Sequence, residues 1–398
     1  MTQHRRPFPP RTRQRAMRAS HGFSLIELMV SIVIAMAMII AMGVISSKFE
    51  TGKRQGTATS DMSLNTGYLA YDLDRQLRSA GSGFSTSRTD TYGCTLYSSL
   101  SGAQILPASA AFPAPFGSVT TTVKMLPLLV YPGIGNGGSD VIQVMTGTGG
   151  IGETSTQVRL NSVATNLLRL SSTVGIKGDD MLLITESGRP CMLEQAAASY
   201  TGGASQQVDL DGSYYASSIG TESINARSTG AVANAMVMGN ATNGNPPRFL
   251  LLGINASQQL VRYDLLRFSN GAGDTPIPVA DGVVDMRVRY GVDTTATMDG
   301  TVDSWVTPTG DYAPAALNDP ANQANVFRIM AVKVSMILRT DYQEKEDFGP
   351  TTLTMFSGLA TSLQVPYTVA DRKRRHRVVE FTVPLRNVLV MSGRAVPP

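Results

Sequence analysis

Charge is scarce in this chain: Asp, Glu, Lys and Arg make up 16% of its 398 residues. With Gly, Ser and Thr abundant, that balance points to a β-rich, loop-rich exported fold and away from a helical cytosolic enzyme. Acid is absent from residues 1–22, which hold six arginines (Arg5, Arg6, Arg11, Arg13, Arg15 and Arg18). From Phe23 onward 28 Lys and Arg face 30 Asp and Glu, so the net charge of +4 belongs to the first segment alone. Overall basicity therefore gives no ground for nucleic-acid binding. Histidine is nearly missing: beyond residue 22 only His376 remains, and the two cysteines, Cys94 and Cys191, fit no CxxC spacing. A three-ligand zinc site lacks its material. GxSxG, HExxH and Walker A patterns are absent as well. A membrane-anchored hydrolase would have to recruit His376 from a run of arginines that disfavours the imidazolium a general base must form. No enzymatic activity and no cofactor is expected. Proline is missing between Pro10 and Pro107, which leaves a long helix uninterrupted.

What is present begins with LMVSIVIAMAMIIAMGVI, Leu28 to Ile45, eighteen residues without charge or proline. At about 1.5 Å per residue it nearly crosses a hydrocarbon core of about 30 Å. The distinctive residues, Gly22-Phe23-Ser24-Leu25-Ile26-Glu27, precede the apolar run, whereas a secretory signal places its cleavage site after one. Arginines before the run keep the N-terminus cytoplasmic and send residues beyond about 46 to the periplasm. Glu27 is a carboxylate at the start of a membrane helix, costly enough to imply a function and a partner. Cleavage between Gly22 and Phe23 would free a positive α-amine four residues away, able to pair with Glu27 within one chain or between neighbours. In an oxidising compartment Cys94 and Cys191 would close one long loop; the alternative is two buried thiols.

Apolar residues then recur at Met62, Leu69, Leu73, Leu77 and Ala80, one face of a helix. Asp74 and Arg78 make an i, i+4 pair and Gly81 is a stop. A helix over 23–80 is on the order of 85 Å long, with Gly52, Gly56 and Gly67 expected to loosen it. Beyond Gly81 the pattern turns to strands: Asp140–Thr146, Gln157–Leu160, Asp180–Glu186, Arg248–Leu252, Leu260–Phe268, Val283–Val292, Val326–Arg339 and Val378–Leu385. In one of them Val284, Met286, Val288 and Tyr290 alternate with Asp285, Arg287 and Arg289, as in a half-buried strand. Residues 215–247 read as a surface loop. A helix followed by a mainly antiparallel sheet is an α+β fold, divided into a basic leader (1–22), a helix (23–80, membrane or filament core to about 46) and a periplasmic β-rich domain (81–398).

His21–Val30, HGFSLIELMV, resembles the class III signal of type IV pilins and type II secretion pseudopilins. That resemblance implies that prepilin peptidase cuts after Gly22 and methylates Phe23. Glu27 matches the family's glutamate, fifth after the cut, which sets register in assembly. YLAYDLDRQLRSAG (Tyr68–Gly81), YGC (Tyr92–Cys94), GVVDMRVRYGVD (Gly282–Asp293), VFRIMAVKVSMILRT (Val326–Thr340) and RRHRVVEFTVPLRN (Arg374–Asn387) resemble the PilW group of minor pilins. The resemblance implies a low-abundance, single-pass inner-membrane subunit that helps initiate a type IV pilus and sits at its tip. Its partners would be other minor and major pilins and a large adhesin, and its roles twitching motility and cell adhesion. A J-type pseudopilin of type II secretion shares the N-terminal logic but has a smaller periplasmic part.

Three other signals carry less. GIGNGG (Gly133–Gly138) has the letters of a dinucleotide fingerprint, but Pro132 precedes it and a strand-like segment follows, so a turn is expected. Asp293, Asp299 and Asp303 are the candidates for a metal, but their spacing does not fit an EF-hand, and Asp299-Gly300 reads as a turn. Arg372 to Arg377 is the densest charge run after the leader. Without interleaved aromatics it reads as a solvated connection and not a nucleic-acid grip.

Overall fold

The computed structural model describes residues 24–148, 155–159, 165–202, 206–229, 231–347 and 349–392. The chain divides into two compact units, Met1–Thr57 and Ala58–Pro398. One helix, Leu25–Arg78, begins in the first and ends in the second. It runs unbroken through Gly52, Gly56 and Gly67, none of which has another atom within 4 Å of a built Cβ. The expected loosening is therefore corrected: isolated glycines lower helix stability by about 1 kcal/mol each without breaking the hydrogen-bond ladder.

The described part of the first unit, residues 24–57, is formed by this helix, with its large apolar side chains exposed. In the second, Met62, Leu69, Leu73, Leu77 and Ala80 are buried, as the seven-, four- and three-residue spacing requires. Asp74 and Arg78 pair at 2.5 Å. The chain then turns at Gly81, whose φ of +81° suits glycine and whose amide donates to the Met145 carbonyl.

Three sheets make up most of the β domain. The six-stranded sheet runs Ala103–Leu106, Leu96–Leu100, Cys191–Gln195, Asp180–Glu186, Ala233–Asn240, Thr156–Gln157. The five-stranded sheet runs Ile277–Asp281, Gln259–Asp264, Arg248–Ile254, Val141–Thr146, Leu128–Tyr131. The four-stranded sheet runs Ser304–Val306, Val283–Val292, Ile329–Arg339, His376–Pro384. Pairing within them is antiparallel except between Leu96–Leu100 and Cys191–Gln195, which are parallel. The fold is α+β: a long apolar helix, then a large and mainly antiparallel β domain. The helix stripe shares one core with all three sheets.

Three expectations are corrected. Residues 215–247 contain the eight-residue strand Ala233–Asn240, paired to Asp180–Glu186 and built into a second core with Leu182, Ile184 and Met192. Val284 also leaves its predicted face. A register shift between Val283 and Asp285 puts Val283 in the main core with Met286, Val288 and Tyr290. Val284 instead packs on a satellite core around Ile337, Met355 and Phe356. The expected strand ending at Leu160 stops at Gln157, with Leu160 outside the described residues.

Gly133–Gly138 is the turn between the antiparallel strands Leu128–Tyr131 and Val141–Thr146, not a strand-to-helix phosphate loop. Asp140 closes it: one carboxylate oxygen accepts the Gly133 amide at 3.0 Å and the other the Val288 amide at 2.9 Å. The Val130 amide donates to the Tyr290 hydroxyl at 2.7 Å, joining the five- and four-stranded sheets.

Candidate functional site

Gly22 and Phe23 lie outside the described residues. Ser24 stands immediately before the helix, and its amide donates to Glu27 Oε2 at 3.1 Å. The Leu28 amide donates to the Ser24 carbonyl at 3.1 Å, closing the first turn. Ser24-Leu25-Ile26-Glu27 is thus half of a capping box, in which the acid three residues into the helix turns back on the residue that opens it. A carboxylate in the first turn also complements the positive end of the helix dipole. The S-x-x-E spacing that signals this cap is present in the sequence, where the charge of Glu27 draws attention to a cationic partner ahead of the nearer backbone donor. Glu27 directs its carboxylate toward the helix start, the end at which proteolysis at Gly22 would create a cation.

Beyond Glu27 the helix carries no charge until Lys48, and it is the one helix among the described residues long and apolar enough to cross a membrane. Ile39 and Ile40 are more than two-thirds exposed. Isoleucine side chains bared over successive turns need a lipid or protein environment.

Cys94 and Cys191 form a disulfide, with Cα atoms 5.7 Å apart across a separation of 97 residues. The bond sits where the six-stranded sheet has its parallel pair: Cys191 is opposite Leu96, and its amide donates to the Thr95 carbonyl at 2.8 Å. Closing a loop of that length removes about 4.7 kcal/mol of unfolded-chain entropy in the simplest model.

The three aspartates of the 293–303 loop are occupied by the loop itself. Asp293 accepts from the Thr295 amide and hydroxyl at 3.0 and 2.5 Å, and from the Asp299 and Gly300 amides at 2.8 and 2.9 Å. Desolvation pushes its carboxyl up, but these donors together outweigh it and hold Asp293 below the usual carboxylate value. Asp299 accepts from the Thr301 amide and hydroxyl. Asp303 accepts from the Thr294 amide at 2.7 Å. Each carboxylate staples its own turn, and Gly300 takes the positive φ the turn requires. No cluster of three metal-ligating side chains occurs among the described residues.

Three residues of the basic run are paired to acids. Arg372 meets Asp347 at 3.3 Å, Arg374 meets both Asp341 and Asp371 at 3.1 Å, and Arg375 meets Glu344 at 3.0 Å. The acids of residues 341–347 were in view in the sequence. Their pairing follows from the antiparallel register of Ile329–Arg339 with His376–Pro384, which returns the two strand ends to one place. Burial holds the His376 imidazole below its ordinary value; the Arg374 carbonyl, 2.9 Å from Nδ1, opposes that shift, while Arg339 adds to it.

A buried charge cluster beneath the strand Ala233–Asn240 has no counterpart in the sequence reading. Arg227, with no exposed side-chain surface, meets Glu222 at 2.8 Å. Glu186 pairs with Arg189 at 3.5 Å and accepts the Ser228 amide at 3.2 Å. Glu194 accepts the Ala216 amide at 3.1 Å, and burial pushes its carboxyl up to about 8 against the opposing pull of that amide and of Arg227.

No curated protein and no solved structure matches the chain. Two family models do. The model described as prokaryotic N-terminal methylation motif matches residues 17–43, which include Gly22, Phe23 and Glu27. The model described as type IV pilus-assembly protein W matches residues 249–387, spanning three strands of the five-stranded sheet and the whole of the four-stranded sheet. Residues 44–248 fall outside both. Together, the methylation motif over the start of an exposed apolar helix and the PilW match over the C-terminal sheets support a PilW-type minor pilin of type IV pili.

Proposed function

We propose that the chain is made as a prepilin, cut after Gly22, N-methylated at Phe23, and held in the inner membrane until it enters a filament as a low-abundance subunit near the tip. The observation that carries this reading is Glu27: a carboxylate turned toward the helix start at the head of an uncharged apolar run, Leu28–Ile45, none of which is buried. In an apolar surrounding a neighbour's α-amine is a partner for that carboxylate that the lipid chains do not offer. Such pairing supplies the register that apolar packing alone does not. The role is structural, with other pilins and a tip adhesin as partners and prepilin peptidase as the processing enzyme. The PilW match over residues 249–387 favours a pilus over a secretion pseudopilus.

Mass spectrometry of the mature N-terminus, with and without prepilin peptidase, tests the processing. A methylated Phe23 terminus that depends on the peptidase is expected; a chain beginning at Met1 or beyond the apolar run overturns the reading. Deletion distinguishes the systems, with loss of surface pili and twitching expected and loss of exoprotein secretion contradicting the pilus assignment.

A further inference from the structure

The four-stranded sheet ends in His376–Pro384, a nine-residue strand paired on one side only, to Ile329–Arg339. The hydrogen bonds at its two ends fix which backbone groups face away. The Thr340 amide donates to the Arg375 carbonyl and the Leu385 amide to the Met330 carbonyl, so 375 and 385 are bonded pairs. Bonded and non-bonded pairs alternate in an antiparallel ladder. Residues 377, 379, 381 and 383 therefore bond inward, while His376, Val378, Glu380 and Thr382 turn their amides and carbonyls outward. Those outward groups have no backbone partner among the described residues.

The other edge strands of the three sheets, Ala103–Leu106, Thr156–Gln157, Ile277–Asp281, Leu128–Tyr131 and Ser304–Val306, are five residues long or shorter, and some inner margins are closed. The Tyr290 hydroxyl takes the Val130 amide on Leu128–Tyr131, and Asp140 takes the Val288 amide on Val283–Val292. The Thr148 and Val158 amides cover Met238 and Ala233 on Ala233–Asn240. Exposed margins are ordinarily blunted by charge, proline or a bulge. Here the pairing with Ile329–Arg339 carries no register shift, and proline comes only at Pro384. Of the usual protections the strand keeps a charge at Glu380, whose carboxylate is taken up by the Ser335 hydroxyl and the Phe356 amide. Val379 and Phe381 pack on the main core, and Val378 on the satellite core, each only partly buried. Arg377 is exposed and has no ion pair among the described residues.

We propose that this margin is a docking edge for an extended segment of another pilin-type subunit, which adds to the four-stranded sheet as a fifth strand. The inference rests on the filament-subunit reading above. The partner is a strand because the unmet groups are a row of amides and carbonyls about 30 Å long, which another backbone satisfies and a helix does not. Its side chains are apolar at alternate positions, completing the cover over Val379 and Phe381, with an acid placed toward Arg377.

Proline separates the two sides of the strand. Val378→Pro and Thr382→Pro each remove an outward amide that the sheet does not use, whereas Val379→Pro removes an inward one. The full-length protein, expressed in piliated cells, carries a photo-crosslinking benzoylphenylalanine at Thr382 or Arg377, and adducts are mapped by mass spectrometry. The expected adduct lies on a β-strand of another pilin-type subunit. Its yield falls at least about tenfold when Val378→Pro accompanies the probe at Thr382, or Thr382→Pro the probe at Arg377, with the unfolding temperature within a few degrees of the parent. Val379→Pro is expected to unfold the domain. Adducts confined to a helix, to a second copy of this chain or to residues 393–398 overturn the proposal, as does a yield indifferent to the outward prolines. The N-terminus is read in the same samples. An uncut chain refutes the pilin reading, while a cut and incorporated chain with no strand adduct refutes only the docking edge.

Discussion

The helix Leu25–Arg78 meets two environments. Up to Thr57 it hides none of its large apolar side chains, and from Met62 onward it hides one stripe and bares the rest. Backbone geometry and hydrogen bonding are the same in both parts, so the contrast lies in side-chain pattern. An apolar run on all sides leaves its burial to lipid or to other chains, while a stripe with a period near 3.6 finds it within its own domain. The difference shows which substitutions should act on folding and which on location or assembly.

The sharpest way to break that contrast is to place the same charge in each part. Leu73→Asp buries a carboxylate in the main core and is expected to cost more than about 4 kcal/mol, unfolding the β domain in urea titrations. Ile34→Asp is expected to cost about 3 kcal/mol in membrane insertion and to leave the domain's denaturation midpoint unchanged. A shared loss of domain stability would show that the two parts are not energetically separate. Cys191→Ser should remove about 2–5 kcal/mol from the β domain alone, read as a lowered urea midpoint with membrane partition preserved.

Glu194 sharpens the comparison from inside the second core. Its carboxyl is raised from 4.5 to about 8 on folding, so the neutral form suits the folded state. The stability it contributes is complete below the unfolded value of 4.5 and is lost as pH rises through about 8. Glu194→Gln should flatten this decline in urea midpoints measured from pH 4.5 to 8.5; an unchanged slope would assign it to other groups. At the helix start, Glu27→Gln keeps an acceptor for the Ser24 amide and loses the charge, whereas Glu27→Ala loses both. If charge sets register, both variants are processed and neither supports normal piliation. If only the cap matters, worth about 1 kcal/mol, the Gln variant assembles normally. Smallest of all, Arg374→Ala removes surface ion pairs with the fully exposed Asp341 and with Asp371 and should change stability by about 1 kcal/mol or less.

How much of this was legible in the sequence depended on how local the cause was. The stripe from Met62 to Ala80 and the span Val283–Val292 show their period within a dozen or so residues, and both form where expected. The slip that moves Val284 to the other face depends on how the strand meets Leu338 and Ile337, more than fifty residues on. Ala233–Asn240, ANAMVMGN, mixes small and polar residues among glycines and serines and looks like loop. It becomes a strand because Asp180–Glu186 offers a partner. At the candidate site, Glu27 stood out because a carboxylate beside an uncharged run is anomalous in any fold. The acids that pair with the basic run, and the partners of Glu194, are brought near by strand register, which composition does not encode.

The bond between Cys94 and Cys191 also sets how far the protein can be stretched. A pull applied between its two ends passes through the sulfur bridge, so the residues between the two cysteines, a separation of 97, never enter the load path. At about 3.4 Å per residue, some 330 Å of slack stays locked away while the bridge holds. Tension reaching the start of the six-stranded sheet is handed directly to Cys191–Gln195, near the sheet's middle, and the stretch between cannot be drawn out like thread from a seam.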